Sequence, residues 1–527
     1  MGLKYNVMKY RLYILVLLAF VPLMLLRDVT PNNELRYLSI ADEAIRNGTL
    51  FAFTNHGVPY ADKPPLYFWL LMAGKALFGR HCVWFLSLFS LVPAFVTAFT
   101  MGRWTAGESG ERLARTGELL LLTCGLFAGM AVFLRMDMLM CMFITLSVRT
   151  FYDLVDGRGN VRLKRVLFSL YLFLALFSKG PLGLLLPLAG TVTFLCVTRR
   201  GRTLGRYWGF TTWAVLAVLS AAWFLAAYLE GGSSYLHNLL FHQTVDRAVD
   251  SFHHKEPFYY YLLAYWYSFA PWSLLLAYVI VDGLHRKAAL SDMQKLLLSM
   301  VCASLVVLSA VSSKIQVYLL PVFPFAVFLA SFMLGGVRRG RLLTLALAVP
   351  AVAFALGLPF AAWGAVHGMP YMDNVWAVLA GAALSVGGVF AVFRLRAGRT
   401  VTDVVRPLGV GMLAGVFFMG FSFPSINRLL GFGELCGEVR RAAVRQHTER
   451  YFTFGIGRSE NMDVYLGMSV TPVGEAGLDS VACARGVLMV DTTAAGKLPP
   501  RLRRCGMRTV GRYGVVVIKR RTAVRND

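Results

Sequence analysis

A carboxylate and an ammonium group stand side by side in a short stretch rich in proline and aromatic residues, Tyr60-Ala-Asp-Lys-Pro-Pro-Leu-Tyr-Phe-Trp69. The charged pair is Asp62 and Lys63. Proline fixes φ and restricts the residue before it, so the two prolines make a poor start for a helix that crosses lipid. The aromatic run that follows is typical of a membrane–water interface. The stretch therefore predicts a polar site at a membrane surface.

Further ionisable side chains interrupt or border apolar runs elsewhere in the chain. Glu34 follows the first apolar run, Asp137 lies in Arg135-Met-Asp137 between two others, and Lys179 and Lys314 each stand at the end of a run. Ionisable groups at membrane depth are candidates for functional residues. Two simpler interpretations stay open: Asp137 with its neighbouring arginine could be a structural ion pair, and either lysine could extend its ammonium group to the interface.

The segment 229–257 holds the densest set of such residues, which comprises His237, His242, Asp246, Arg247, His253, His254, Lys255 and Glu256. Its histidines could bind a divalent metal together with a distant carboxylate. Gathered at one membrane face, the cations suit a lipid phosphate, and the carboxylates suit hydroxyl or amine chemistry. The pattern predicts a reaction on a phosphorylated lipid in which Lys63 and Arg247 neutralise a departing phosphate.

The composition requires that these residues be positioned by membrane spans. Of the 527 residues, 57% are hydrophobic and only 15% are charged, and the mean hydropathy is +0.59. Apolar runs long enough to cross about 30 Å of hydrocarbon recur along the chain. The net charge of +25 comes from Lys and Arg in short loops, as the positive-inside rule expects, rather than from a nucleic-acid surface. The sequence contains no nucleotide-binding loop, which argues against an ATP-driven pump.

Hydropathy predicts about 13 spans. Their approximate limits are 10–26, 83–101, 117–134, 138–155, 166–178, 181–198, 208–228, 258–283, 296–312, 317–335, 342–364, 375–393 and 405–424. With the N-terminus in the cytoplasm, alternation puts the basic clusters on the cytoplasmic side and the segments 27–82 and 229–257 on the opposite face. We therefore expect a transmembrane domain over 1–424 that carries these two loops, and an external domain over 425–527.

The last segment changes character, because short apolar runs alternate with helix-like stretches. The apolar runs are 451–456, 486–491 and 514–518, and a helix is expected over 434–447. This alternation indicates a small α/β domain. In the first loop, the apolar spacing from Leu35 to Arg46 predicts a short amphipathic helix at the interface, which ends before Gly48.

As an ordered set, the motifs resemble those of the bacterial polyprenyl-phosphate-sugar glycosyltransferases. These are the 4-amino-4-deoxy-L-arabinose (lipid A) transferases and their relatives, distantly akin to protein O-mannosyltransferases. The resemblance covers about residues 27–330 and extends to the rest in layout only. It rests on Glu34-Leu-Arg-Tyr37, Ala41-Asp-Glu43, Tyr60 to Trp69, Leu77-Phe-Gly79, Arg135-Met-Asp137, Ser178-Lys-Gly-Pro181, Asp246-Arg247, His254-Lys-Glu-Pro-Phe258, Pro271-Trp272 and Ser313-Lys-Ile-Gln-Val-Tyr318.

The resemblance implies a GT-C fold, a polyprenyl (undecaprenyl) phosphate sugar as donor and a periplasmic C-terminal α/β domain. It assigns Lys63 to the donor phosphate, and Asp62 with His254 to a zinc ion. The Arg-x-Asp carboxylate of the family corresponds to Asp137. One departure concerns the acidic pair that follows the first span in the family, because Asn33 replaces its aspartate and an amide cannot act as a base.

The leading hypothesis is a glycosyltransferase of the bacterial inner membrane that moves a sugar, with inversion, to an acceptor on the outer face, lipid A first. Glu34 and Asp137 are the expected catalytic residues, and the donor phosphate is assigned to four cations: Lys63, Arg247, Lys179 and Lys314. Two alternatives stay open. One is transfer to a protein hydroxyl, which needs a base more, and the other is a transporter or flippase of lipid-linked sugars, which would place its ionisable groups nearer the bilayer midplane.

Overall fold

The computed structural model describes residues 2–240, 256–286, 289–369 and 371–518. Up to residue 420 these are almost entirely helical. The helices are α1 Gly2–Leu26, α2 Arg36–Asn47, α3 Leu66–Phe78, α4 Val83–Ser109, α5 Glu111–Leu122, α6 Gly125–Met130, α7 Asp137–Val155, α8 Val161–Lys179, α9 Leu182–Val197, α10 Leu204–Tyr207, α11 Phe210–His237, α12 Tyr260–Ser268, α13 Ser273–His285, α14 Asp292–Ala310, α15 Phe323–Met333, α16 Arg341–Ala355, α17 Gly357–Val366, α18 Val375–Arg396 and α19 Val401–Gly420.

Among the described residues, eight helices are long and apolar enough to cross a membrane, or up to ten if each of two bent helix pairs counts as one span. The chain is therefore a multi-pass membrane protein, as predicted. Three of the predicted spans fall outside this set. Segment 117–134 is divided between α5 and α6, segment 166–178 belongs to α8, which begins with a basic cluster, and segment 181–198 is α9, which has only 16 residues.

The segment after α1 folds into a compact unit. It begins with a π-helical turn, Pro31–Leu35, which runs directly into α2. A small hairpin follows, with β1 at Thr54–Asn55 and β2 at Val58–Pro59. The carboxylate of Glu43 on α2 holds this hairpin, because it accepts hydrogen bonds from the hydroxyl of Thr54 and from two backbone amides of the turn at 2.5–2.8 Å.

The predicted helix Leu35–Arg46 is confirmed as α2, and Gly48 takes the left-handed conformation after it, with φ 68°. Its surroundings differ from the expectation of a helix lying on an interface. The eight consecutive residues 37–44 are all buried, because α2 is covered by α3 on one side and by the C-terminal part of the chain on the other. Burial of both faces cannot be deduced from an amphipathic pattern.

The C-terminal α/β domain is also confirmed. Its elements are α20 Phe423–Leu430, α21 Gly433–Arg445, β3 Tyr451–Phe454, α22 Asp463–Leu466, β4 Val470–Pro472, α23 Leu478–Cys483, β5 Gly486–Asp491, α24 Pro500–Arg504, β6 Met507–Val510 and β7 Tyr513–Ile518. The sheet order is β4-β3-β5-β7-β6. Strand β3 pairs in parallel with β4 and β5, whereas β7 is antiparallel to β5 and β6. The two strands that the sequence did not predict, β4 and β6, are the short edges.

Two hydrophobic cores hold these parts together. The larger lies within the helical bundle. The second joins α2, α3 and the start of α7 to the C-terminal domain, and it includes Tyr37, Phe68, Leu134, Leu435 and Met489. The C-terminal domain is therefore packed directly on the segment that carries Glu34, Asp62 and Lys63.

Candidate active site

The centre of the candidate site is a buried carboxylate between two cations. Asp137 is the first residue of α7, and Lys179 is the last residue of α8. The Nζ of Lys179 donates to one carboxylate oxygen of Asp137, and the Nε of Arg135 donates to the other at 3.0 Å. Asp137 is fully buried. Because both cations come from side chains at helix ends, the group lies at one end of the bundle rather than at its middle.

An aromatic ring completes the environment of Lys179. Its Nζ lies over the ring of Tyr318 at 4.5 Å from the centroid, a geometry that stabilises a cation next to the π face. Tyr318 follows Lys314 in a 3-10 segment, Gln316–Val322. The motif that contains Lys314 thus contributes Tyr318 to the site, through its contact with Lys179.

The Asp62-Lys63 pair forms the second part of the site. The Nζ of Lys63 lies 3.2 Å from the Asp62 carboxylate, and the Tyr60 hydroxyl donates to the same oxygen at 3.1 Å. The guanidinium of Arg36 lies over the Tyr60 ring at 5.5 Å. Burial, and then the negative charge of Asp62, raises the pKa of Tyr60 well above its ordinary value. Tyr60 therefore stays neutral and keeps its proton for donation.

Tyr37 connects the two parts. Its side chain is almost completely buried and lies within electrostatic range of Arg135, Arg36, Asp137 and Asp62. Lys63 is likewise within electrostatic range of Lys179. The structure thus brings together four predicted residues from distant parts of the chain, namely Asp62, Lys63, Asp137 and Lys179.

Glu34 occupies a different environment. Both of its carboxylate oxygens accept from the guanidinium of Arg27, at 2.9 and 2.7 Å. The same oxygens also accept from the backbone amides of Thr30 and Leu134, each at 2.7 Å. Glu34 is fully buried and Arg27 nearly so. These four hydrogen bonds fill the acceptor positions of the carboxylate, so the geometry favours a positioning role over direct chemistry.

The remaining predicted residues are less closely connected to this site. The Nζ of Lys314 is buried and donates to the backbone oxygen of Glu256 at 3.0 Å, so it anchors the chain at the end of the 229–257 segment. Arg247 and His254 lie outside the described residues. Within the part of the chain that the structure describes, no three metal-binding side chains converge. The assignments of Arg247 and His254 stay predictions.

Three residues of the site were not singled out in the sequence: Arg36, Tyr37 and Tyr318. All three stand inside the motifs that carry the family resemblance, which was the available signal. Their roles depend on tertiary contacts. Arg36 lies over the ring of Tyr60, and Tyr37 lies within electrostatic range of Arg135, only after the chain has folded. Asn33, the departure from the family pattern, has its side-chain oxygen 3.4 Å from a guanidinium nitrogen of Arg36.

Comparison with known proteins agrees with this architecture. No family model matches the chain. In structure it is similar to ArnT from Cupriavidus metallidurans in its complex with undecaprenyl phosphate, with a TM-score of 0.78 and 19% identity over 98% of this chain and 99% of that one. The fold is therefore that of a GT-C membrane protein, and the predicted fold class is confirmed.

The sequence comparison is more specific. The chain is 27% identical over 332 residues to an uncharacterized protein of Aquifex aeolicus, covering 60% of this chain and 63% of the relative. It is also 27% identical over 347 residues to the undecaprenyl phosphate-alpha-4-amino-4-deoxy-L-arabinose arabinosyl transferase 1 of Pseudomonas fluorescens, covering 63% of this chain and 59% of the relative. The chain thus spans about three fifths of the length of these relatives. The resemblance to the aminoarabinose transferases is confirmed.

Proposed function

We propose that the chain is a membrane glycosyltransferase that moves a sugar from an undecaprenyl phosphate carrier to an envelope acceptor, with lipid A as the first choice. The observation that carries the proposal is the convergence of Lys63, Lys179 and Arg135 around Asp137 and Asp62 at one end of the bundle. Cations at this place stabilise the negative charge that grows on the carrier phosphate as the glycosidic bond breaks. The named relatives and the ArnT fold support the same reaction class.

The roles divide between the two parts of the site. Lys63 neutralises the phosphate. Tyr60 donates a hydrogen bond to Asp62, and Arg36 packs over the ring of Tyr60. Asp137, kept ionised by its two cations, stabilises positive charge on the sugar ring or orients the acceptor. Displacement by attack on the anomeric carbon from the face opposite the phosphate inverts that carbon, and the carrier leaves as undecaprenyl phosphate.

We also propose the orientation. The N-terminus is cytoplasmic, and the site and the C-terminal domain face the periplasm of a bacterial inner membrane. Helix α8 supports this, because its first five residues include Arg162, Lys164 and Arg165 while its last residue is Lys179 in the site. Basic residues collect at cytoplasmic helix ends, so the site belongs to the opposite side.

The acceptor chemistry distinguishes lipid A from a protein hydroxyl. A neutral serine or threonine needs a base, whereas a lipid phosphate is already an anion. Asn33 has no basic group, and the Glu34 carboxylate is occupied by Arg27 and two amides. Both observations favour an anionic acceptor. Asp137 and Lys179 lie at helix termini and Lys63 lies just before α3, whereas a transporter would place its ionisable groups nearer the middle of its helices, so this arrangement disfavours a transporter.

We also propose, as the family resemblance implies, that Asp62 and His254 hold a zinc ion. Zinc takes three or four protein ligands. Of the two predicted ligands only Asp62 lies in the part of the chain that the structure describes, where no three metal-binding side chains converge. The Asp62 carboxylate already has the Lys63 ammonium 3.2 Å away, so a metal at this oxygen would displace that lysine. When bound, such an ion would supply positive charge next to the carrier phosphate.

The decisive measurement compares Lys63→Met with Lys75→Met in purified protein supplied with undecaprenyl-phosphate-linked aminopentose and lipid A. Both lysines lie in segment 27–82 and both pair with an aspartate, but Lys75 contacts Asp42 on α2, outside the site. We expect transfer to fall about 100-fold or more in Lys63→Met and to stay within about twofold in the Lys75 control. Equal activities would contradict the assignment of Lys63.

Mass spectrometry of cells with and without the gene identifies the acceptor. A pentosamine missing from lipid A alone supports the proposal. Loss confined to glycopeptides would move the protein to the protein-glycosylation class. If lipid A and the glycopeptides are both unchanged and a lipid-linked sugar accumulates on one leaflet, the result would favour the transporter hypothesis.

A further inference from the structure

The carboxylate of Asp28 joins the end of α1 to the C-terminal domain. One oxygen accepts from the backbone amide of Gly433 at 2.7 Å, and the other accepts from the hydroxyl of Tyr465. The backbone amide of Asp28 donates to the side chain of Asn427 at 2.8 Å, and Asn427 in turn donates to the backbone oxygen of Leu26 at 2.7 Å. These contacts connect residues about 400 positions apart in the chain.

The local sequence is suited to this close approach. A Cβ atom at Gly431 would lie 2.0 Å from an Asp28 carboxylate oxygen, and one at Gly433 would lie 2.8 Å from it. Glycine at both positions therefore lets the backbone of the C-terminal domain reach the carboxylate. Burial, and then the charge of Asp28, raises the pKa of Tyr465 well above its ordinary value, so its hydroxyl stays a donor to Asp28.

The neighbouring residue, Arg27, faces the catalytic domain. Its guanidinium binds Glu34 with two hydrogen bonds and donates to the backbone oxygen of Val132 at 2.8 Å. Glu34 accepts from the amide of Leu134. Two direct contacts therefore fix the segment 132–134, which leads into Arg135 and Asp137 of the site.

We infer that Asp28 is a positioning residue through which the C-terminal domain sets the place of Asp137. The chain of contacts runs from Tyr465 and Gly433 to Asp28, along the backbone to Arg27, and through Glu34 and Val132 to the start of α7. Among the described residues, neither Asp28 nor Tyr465 contacts a cation assigned to the donor phosphate. This inference rests on the proposed function for its catalytic consequence, but its structural part can be measured without a substrate.

The test uses Tyr465→Phe and Asp28→Asn in the full-length protein. Tyr465→Phe removes one hydroxyl and leaves the ring in place. The control is Asp491→Asn, which changes a carboxylate in the same domain that accepts from Thr493 instead.

For both test variants we expect faster hydrogen exchange at the amides of 132–137. We also expect kcat for transfer to fall about 10-fold at an unchanged KM for the donor, because small displacements at a reacting centre cost rate. The control should match the wild type in both.

Three outcomes overturn the inference. The first is unchanged exchange at 132–137 while exchange near 427–433 rises. The second is faster exchange at 132–137 with unchanged kcat. The third is an equal effect in Asp491→Asn, which would indicate general destabilisation. If the wild-type protein shows no sugar transfer, the proposed function fails, and the exchange data alone decide whether Asp28 couples the domain to the site.

Discussion

Two buried carboxylates, Glu34 and Asp137, lie near each other in the fold but have different surroundings. Glu34 is held by one arginine and by two backbone amides. In the part of the chain that the structure describes, the donors to Asp137 are the side chains of Arg135 and Lys179. The Lys179 ammonium also lies over the ring of Tyr318 and within electrostatic range of Lys63. Backbone donors are fixed by the fold, whereas side-chain cations can turn toward a ligand.

The comparison teaches that burial and charge alone do not identify a catalytic carboxylate. The source of the hydrogen bonds is more informative. A carboxylate whose acceptor positions are filled by backbone amides and one buried arginine holds chain segments together, whereas a carboxylate bound by side-chain cations can exchange those partners for substrate groups. Sequence reasoning gave both residues the same catalytic role, and the contacts separate them.

The largest effect is expected from the double variant Asp137→Asn/Lys179→Met. Removal of both charges leaves neither Asp137 nor Lys179 as an unpaired buried ion, but the partly exposed Arg135 loses its carboxylate partner. The free energy of unfolding should therefore fall by about 1–3 kcal/mol, the value of a charged hydrogen bond. Transfer should still fall about 100-fold or more, because the charge near the reacting sugar is gone. Thermal unfolding in detergent and the transfer assay check the two parts. Near-normal transfer by the folded double variant would remove Asp137 from the site.

Glu34→Gln should give the reverse result. It leaves Arg27 buried without its partner charge, which costs about 3 kcal/mol or more of stability. Transfer per folded molecule should fall about 10-fold, as for Asp28→Asn, since the residue acts through position. The matched variant Arg27→Met/Glu34→Gln should recover part of the lost stability. A loss of 100-fold or more in folded Glu34→Gln protein would make the two carboxylates equivalent and end the distinction.

A smaller effect is expected at Tyr318, which tests whether Lys179 is held by the ring face. Tyr318→Phe keeps the ring and should lower transfer by no more than about threefold. Tyr318→Leu removes the π face, so a loss of about 10-fold is expected, in line with a cation–π contribution of about 1–2 kcal/mol. Equal activity of the two variants would show that the aromatic contact contributes little.

The smallest effect concerns Asp463, on the face of the C-terminal domain that contacts α2. Burial raises the pKa of its carboxyl above the ordinary 3.8, Asp42 adds to this, and Ser39, His56 and Arg46 oppose it. The folded state therefore holds this proton more tightly, and the stabilising contribution, present below pH 3.8, decreases as pH rises above that value.

Asp463→Asn removes this titration. The difference in unfolding temperature between variant and wild type should move in favour of the variant as pH rises from about 4 to about 6. Asp491→Asn provides a control of opposite sign, because hydrogen bonds from Thr493 lower the pKa of Asp491. Its wild-type contribution is present at higher pH and is lost as pH falls. A pH-independent difference for Asp463→Asn would contradict the assignment.

The sequence predicted much of this architecture, and the failures have physical causes. Local periodicity was sufficient for α2 and for the strands β3, β5 and β7, and the charged residues at span ends identified Asp137 and Lys179. It was insufficient for the edge strands β4 and β6, which have few residues and little apolar pattern. The saturation of Glu34 depends on the amide of Leu134, 100 positions away. No local pattern carries that information.

The contacts of Asp28 also bear on how the protein is made. Asp28 emerges from the ribosome soon after the first span, but its partners Asn427, Gly433 and Tyr465 are translated about 400 residues later. Asp28, next to the Arg27 that holds the start of α7, therefore lacks its contacts to the C-terminal domain until every intervening helix has been inserted. Contacts so far apart in the chain form slowly. Maturation of this protein should end with closure of the C-terminal domain onto Asp28, and nascent chains halted before residue 433 should expose that junction to protease.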